Sequence, residues 1–289
     1  MKQPPLVSVI CLSMNHEKFI EKSFHSLITQ TYPNIEILYA DNFSNDASFE
    51  KGDVILKNSG LNYQSFKRER CFNISENINF LTALASGKYI SLLSADDWWA
   101  PSNLEERISY FEAHNHYGML HGSGFLYYHD TGIVVPEKIL SKKTGGVFKD
   151  LLKRNFINTI GIVIKKEVLN EVGPFDECSP LEDWDMWLRI SERYEVGFQD
   201  KRLVYYGKHS SNISENKIFM AEGYNYIFSK YQGHPEIKAA RKYYRMVDIY
   251  ETVKKEPGPK SLLLLLRNFD FTIVHFNQLI KALIYGIIK

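Results

Sequence analysis

The stretch Lys88 to Pro101, KYISLLSADDWWAP, decides how the rest of the chain is read. Tyr89 to Ser94 is a short, mostly apolar run that passes directly into two adjacent carboxylates, Asp96 and Asp97. A run of this length bounded by turn signals is what a strand buried on both faces of a parallel sheet looks like. Trp98, Trp99 and Pro101 then stop it, and Ser102-Asn103 offers capping side chains to a new helix. Ligands of such sheets bind just beyond the carboxyl ends of the strands. Two aspartates there are oxygen donors for a hard divalent cation, and such a cation most often serves a phosphate. An isolated Asp-Asp pair after a strand also suits a solvated turn, so the flanking segments have to decide.

Upstream, Leu6 to Leu12 is another buried-strand pattern, turned by Ser13-Met14-Asn15. Phe19, Ile20, Phe24, Leu27 and Ile28 recur at helical spacing until Tyr32-Pro33, and Ile35 to Ala40 is the next strand. Strand, helix and strand at this spacing form a βαβ unit with parallel strands. A less regular stretch follows, with a strand near Leu61 to Lys67, then a helix from Ile74 to Ala85 with Gly87 as its C′ residue. Downstream, Leu104, Ile108 and Phe111 mark a helix, and glycines 122, 124, 132, 145 and 146 punctuate short strands. A helix over Val147 to Phe156, a strand over Ile160 to Ile164 and a turn at Val172 to Asp176 come next. Glu182-Asp183 then opens a helix, where acids suit the macrodipole. Val196 to Gln199 and Arg202 to Tyr206 read as two strand pieces leading to His209.

Bulk composition narrows the class. A length of 289 residues allows one large α/β domain with an appendage, and a net charge of +1 argues against a nucleic-acid partner. The three cysteines are scattered, with no CxxC spacing for zinc. The N-terminal MKQPPLVSVI enters a strand without signal-peptide regions, so a reducing, cytoplasmic setting is expected and the sequons at Asn42, Asn73 and Asn212 stay idle.

Five segments taken together carry a resemblance: VSVICLSMN, QTYPNIEILYADNFSNDAS, ALASGKYISLLSADDWWAP, GPFDECSPLEDWDMWLR and the late His209. In this order and spacing they resemble the GT-A nucleotide-sugar transferases of glycosyltransferase family 2, over roughly residues 6 to 214. The resemblance implies a Rossmann-like, mostly parallel α/β sheet flanked by helices over 1–215. Beyond its reach, a shift to aromatic and basic helical composition from about Asn216 marks a helical appendage over 216–289. The donor half of the resemblance would run to about residue 100 and its acceptor half from 101 to 215. It implies transfer of a sugar from a nucleotide sugar, a UDP-sugar favoured, to a hydroxyl of a glycan or lipid-linked saccharide, with inversion and Mn²⁺ or Mg²⁺ as cofactor.

Residue by residue, the resemblance gives Asp41 to the base, Asp96 to the donor ribose or sugar, and Asp97 with His209 to the metal. It gives Asp183 the role of catalytic base and Glu182 that of orienting the acceptor, with Ser13 and Ser214 among the donor-binding residues. Turn formation at Asp41 and helix capping at Asp183 are the structural alternatives. The chain departs from the family pattern at Ser94, where an aspartate is frequent, at Met14 in place of a base-stacking tyrosine, and at Glu76 in place of an arginine. Trp184 or Trp98-Trp99 would wall the sugar or sit in the core.

The chemistry asks for these residue types. Expelling a nucleoside diphosphate builds negative charge that a metal offsets, and the acceptor hydroxyl needs a base. Two rivals remain: a sugar nucleotidylyltransferase, which would want a glycine-rich loop where Ser13-Met14-Asn15-His16-Glu17 stands, and a catalytically silent binding or scaffold protein. The tail, with Leu262 to Leu266 and apolar residues on to Ile288, is expected to pack within the protein, form a homodimer, or make peripheral membrane contact.

Overall fold

The computed structural model describes residues 3–255 together with 258, 260, 263, 264 and 267. The chain divides into two compact units, Met1–Phe148 with Phe156–Gly223, and Lys149–Asn155 with Tyr224–Lys289. In chain order the first half runs β1 Val7–Ser13, α1 Ile20–Ile28, β2 Ile35–Asp41, α2 Ser48–Lys57, β3 Asn62–Lys67, α3 Ile74–Leu84, β4 Tyr89–Ser94, β5 Trp98–Trp99 and α4 Asn103–Ala113. Then come β6 Tyr117–Tyr128, β7 Val134–Pro136, α5 Phe148–Lys153, β8 Val163–Lys165, α6 Lys166–Val172, α7 Glu182–Arg193 and β9 Glu195–Lys208. A 3₁₀ turn at Ile213–Glu215 precedes α8 Lys217–Lys230 and α9 Glu236–Lys255.

The strands join one sheet in the order β3-β2-β1-β4-β8-β6-β9-β5, with β7 added beside β6. Strands β1, β2, β3 and β4 pair in parallel, as their helical crossovers demand. β8 runs antiparallel to both β4 and β6 and so joins the two halves of the sheet. This is the mixed, mostly parallel α/β sheet with flanking helices that the sequence implied. Phe24 on α1 meets Tyr39 on β2 edge-on at 4.9 Å, and α7 sinks Trp184 and Trp187 into the core. Trp184 is thus a core residue.

A buried polar lock sits under the first strands. Glu36, 4% exposed, accepts the Ser86 amide at 2.6 Å and the Gly87 amide at 3.1 Å, and Ser8 donates its hydroxyl to the same carboxylate. Three consecutive parallel strands are thereby tied at one end, because a buried carboxylate must be met by donors.

Several local expectations are corrected. Gly87 does not close α3 in a left-handed turn: Ala85 caps that helix in extended backbone. Glycine is needed at 87 because a Cβ would stand 2.7 Å from the Ser8 nitrogen and 2.8 Å from the Leu6 carbonyl. Ser102 makes no side-chain cap on α4, and Asn103 instead accepts from Arg107 Nε at 3.1 Å. Trp98-Trp99 does not merely stop β4 but forms β5, antiparallel to β9. The two strand pieces after α7 are one strand, whose ladder skips Asp200 and Lys201 where Gly122 pairs with Gln199 and Ser123 with Arg202. The strand expected from Ile160 starts only at Val163, because Gly161 takes a left-handed φ of 66°.

In the second unit, the rings of Tyr224 and Tyr244 lie 4.1 Å apart and the Tyr244 hydroxyl accepts the Asn155 amide at 3.2 Å. The expectation of membrane or dimer contact by the apolar tail falls almost wholly outside the described residues. Among the described residues no helix is long and apolar enough to cross a membrane.

The crowding at position 87 gives a test of the fold. Gly87→Ala should destabilise the protein by about 1–3 kcal/mol, since neither backbone group it meets can swing aside. Chemical denaturation checks this; an unchanged midpoint would remove the packing argument.

Candidate active site

The strand register builds the rim on which the site lies. Ser13, last in β1, pairs with Asp41, last in β2, while Leu12 pairs with Ser94, last in β4. The carboxyl ends of three strands therefore finish level, and Asp96 follows two residues later. Asp41 is fully buried, and its Oδ2 accepts the hydroxyls of Ser13 and Ser44, each at 2.6 Å. Its Oδ1 accepts the Ser44 amide at 2.9 Å, so the carboxylate closes the turn after β2. Two non-glycine residues in left-handed backbone flank this rim, Asn15 at φ 57° and the half-exposed Phe43 at φ 64°. A bulky residue held there is costly, and such strain gathers at functional sites.

Beyond β4 the structure brings together two residues 113 positions apart. His209 Nε2 lies 3.0 Å from Asp96 Oδ2, and His209 Nδ1 lies 2.8 Å from the Ser211 hydroxyl. Phe19, just before α1, stacks on the His209 ring at 4.7 Å between centroids and 21° between planes. Asn212 completes the clamp. Its Oδ1 accepts the His209 amide at 2.7 Å, and its Nδ2 donates to Asp96 Oδ2 at 3.3 Å and to the Gly207 carbonyl at 3.2 Å. Asp96 Oδ1 is buried and has no protein partner. Asp97 is deeper still, 2% exposed, and accepts the Gly207 amide at 2.8 Å. Burial, then the charge of Asp96, pushes the Asp97 carboxyl well above the usual aspartate range.

These residues fit a divalent cation. Asp96 offers a buried oxygen without a donor, and His209 offers a ring nitrogen beside it. Among the described residues no three His, Cys, Asp or Glu side chains converge as a ligand set.

The second acidic pair stands at the start of α7. Asp183 Oδ2 accepts the Thr159 hydroxyl at 3.0 Å, and Oδ1 accepts the Trp184 amide at 2.5 Å. Both Glu182 and Asp183 are partly buried. Burial raises the Asp183 carboxyl above the ordinary aspartate range. Glu182 is pushed up to about 8, by burial first and then by the Asp183 charge. A carboxylate of raised basicity is equipped to take a proton. Ser214 sits with its hydroxyl 3.3 Å from that of Tyr206.

The model of the family described as glycosyl transferase family 2 matches residues 8–173, more than half of the chain. The chain belongs to glycosyl transferase family 2. An uncharacterised glycosyltransferase of Rickettsia bellii is 25% identical over 223 residues, covering 74% of this chain and 31% of the relative. The chain thus spans about a third of that protein's length. UDP-Glc:alpha-D-GlcNAc-diphosphoundecaprenol beta-1,3-glucosyltransferase WfaP of Escherichia coli is 26% identical over 221 residues, covering 74% of this chain and 81% of WfaP. Among solved structures, S. aureus TarS 1-349 in complex with UDP-GlcNAc superposes with a TM-score of 0.62 at 19% identity, covering 96% of this chain and 79% of that one. Mannosyltransferase PcManGT from Pyrobaculum calidifontis, in complex with GDP-Man and Mn²⁺, gives 0.67 at 14% identity, covering 99% and 87%. These two likenesses show the shared GT-A fold.

Within this family-2 chain, one departure from the pattern has a local explanation. Glu76 accepts the Asn73 amide at 2.8 Å while Asn73 Oδ1 accepts the Glu76 amide at 2.8 Å, a capping box that starts α3. Met14 is 43% exposed and its sulfur lies 3.8 Å from Asn42 Nδ2. Asn212, Phe19 and Thr159 are not site candidates in the sequence, where Phe19 reads only as a position on a helix face. Asn212 was visible there only as a sequon, and nothing in a sequence pattern pairs Thr159 with Asp183.

Asn212 acts on Asp96 and His209 at once, so its loss should loosen both. Asn212→Ala is expected to weaken nucleotide-sugar binding about tenfold, in the range typical of residues that orient ligands. Titration calorimetry of the variant, with circular dichroism to confirm the fold, checks this.

Proposed function

We propose that this family-2 chain transfers a sugar from a nucleotide sugar, a UDP-sugar in preference, to an acceptor hydroxyl of a glycan or lipid-linked saccharide, with inversion and a divalent cation. The observation that carries the reading is the Asp96–His209 pair, closed at 3.0 Å on the rim of the parallel strands. WfaP and the TarS complex favour a uridine nucleotide by what their names state, and WfaP favours a lipid-linked acceptor. The Mn²⁺ of the PcManGT complex favours a cation.

Asp96 and His209 would hold the cation, Asp96 through the oxygen that has no protein donor. Asp97 supports this segment from beneath by fixing the Gly207 amide, a narrower part than the direct metal ligation the sequence suggested. When bound, the cation offsets the negative charge that gathers on the departing diphosphate. Asp41, with Ser13, shapes the loop against which the base would rest. Asp183 takes the proton of the acceptor hydroxyl, which is too weak a nucleophile otherwise. Glu182, neutral beside an ionised Asp183, donates to and orients the acceptor rather than competing as a second base. One base opposite the leaving group makes a single displacement with inversion.

Incubation with UDP-sugars and saccharide acceptors, with Mn²⁺, Mg²⁺ or EDTA, tests the reading. Turnover should need the cation, and full turnover in excess EDTA would overturn the metal assignment. Binding without turnover would support the silent alternative. Asp183→Asn should keep donor affinity and lower kcat by about a hundredfold or more. A near-normal kcat with a raised KM would make Asp183 a binding residue.

The raised carboxyls set the pH behaviour. Asp183 must be ionised to act, so the acid limb of kcat/KM should lie above the ordinary aspartate range, as a property of the coupled pair. Stability moves the other way. With its folded value raised to about 8, Glu182 binds its proton more tightly in the native state, so its contribution is lost as pH rises towards 8. Parallel rate and melting profiles check both signs.

A further inference from the structure

The loop that faces Asp183 is held from an unexpected side. Asn158 donates its side-chain amide to Glu137 Oε1 at 3.0 Å, and Glu137 Oε2 in turn accepts the Gly124 amide of β6 at 3.1 Å. Three residues after Asn158, Gly161 turns left-handed at φ 66°, and a Cβ there would stand 2.4 Å from Val204 on β9. Thr159, between these two anchors, is therefore presented from a loop fixed at both ends. Its hydroxyl meets Asp183 Oδ2 at 3.0 Å while the Trp184 amide meets Oδ1 at 2.5 Å.

We infer that Thr159 is a positioning residue for the base: together the threonine hydroxyl and the Trp184 amide fix the plane of the Asp183 carboxylate, leaving its remaining lone pairs for the acceptor hydroxyl. The inference rests on the reading of Asp183 as base. With one donor on each oxygen, rotation about the last side-chain bond is blocked. Helix capping alone needs neither Thr159 nor the bond on Oδ2, because the Trp184 amide already belongs to the first turn of α7. The bond also has a sign. A hydroxyl donor favours the charged carboxylate and works against the burial that raises it. Glu182 is the ionisable neighbour of Asp183, raised by burial first and then by the Asp183 charge.

Thr159→Val keeps shape and removes the donor, and Thr159→Ser keeps the donor and removes the methyl group. Valine should lower kcat about tenfold, leave donor affinity unchanged, and move the acid limb of kcat/KM upward by up to about one unit, the effect of losing a hydrogen bond to a charged group. Serine should restore both kcat and the limb. Valine with kcat and limb unmoved overturns the inference, as does serine behaving like valine. If Asp183→Asn itself retains near-normal kcat, the reading of the base has failed, a result distinct from a silent Thr159→Val beside an inactive Asp183→Asn. Donor binding by calorimetry confirms that each variant folds, so a lost kcat with intact binding counts for the inference and lost binding in both variants counts against it.

Discussion

The contact between His209 and Asp96 is the constraint on which the rim depends. It joins the end of β4 to the segment after β9, elements with no neighbouring register in the sheet. A buried carboxylate that lacked such a partner would cost far more than an ordinary hydrogen bond returns. The surrounding residues follow from that need. Phe19 fixes the ring, Ser211 engages the other nitrogen, and Asn212 spans both partners. Gly207 has to be glycine, because a Cβ there would stand 2.1 Å from the Asp96 carbonyl. The strand end and the late segment touch backbone to backbone, which is how a short histidine side chain reaches.

Two acidic pairs with opposite environments share the first unit. In the Asp96-Asp97 pair, neighbouring donors draw Asp96 below the ordinary range although burial opposes them, while Asp97 is pushed far above it. In the Glu182-Asp183 pair both members are raised. Only the first pair is driven apart, so Asp96 keeps its charge more readily than Asp97. The difference is made by donors: imidazole and amide nitrogens surround Asp96, whereas Asp183 has one hydroxyl and one backbone amide.

Much of the fold was legible in the sequence. Short apolar runs at Val7–Ser13, Ile35–Asp41 and Tyr89–Ser94, bounded by turn signals, read as strands covered on both faces, and the helices between them make the pairing parallel. Where reading failed, the cause was local backbone chemistry overridden at a distance. Trp98-Trp99 looks like a stop because two residues carry no periodicity, yet β9 recruits them as an edge strand. Gly87 looks like a helix stop because its contact with Ser8 lies 79 residues away.

By itself the sequence determined the β1-α1-β2 unit, the strands β3 and β4 with the helix before β4, the acidic steps at the end of β2, just past β4 and at the start of α7, and, through five segments in order and spacing, the resemblance to the family; it left α2, β5 and α6 unread. Those are properties of period, turn residues and spacing, which are local. The tertiary structure alone decided which acid meets which donor: His209 on Asp96 rather than Asp97, Gly207 on Asp97, and Thr159 on Asp183. Adjacent residues in a chain point in different directions once the backbone turns, and only the packed neighbours settle which of two aspartates faces the open rim and which is sealed beneath it.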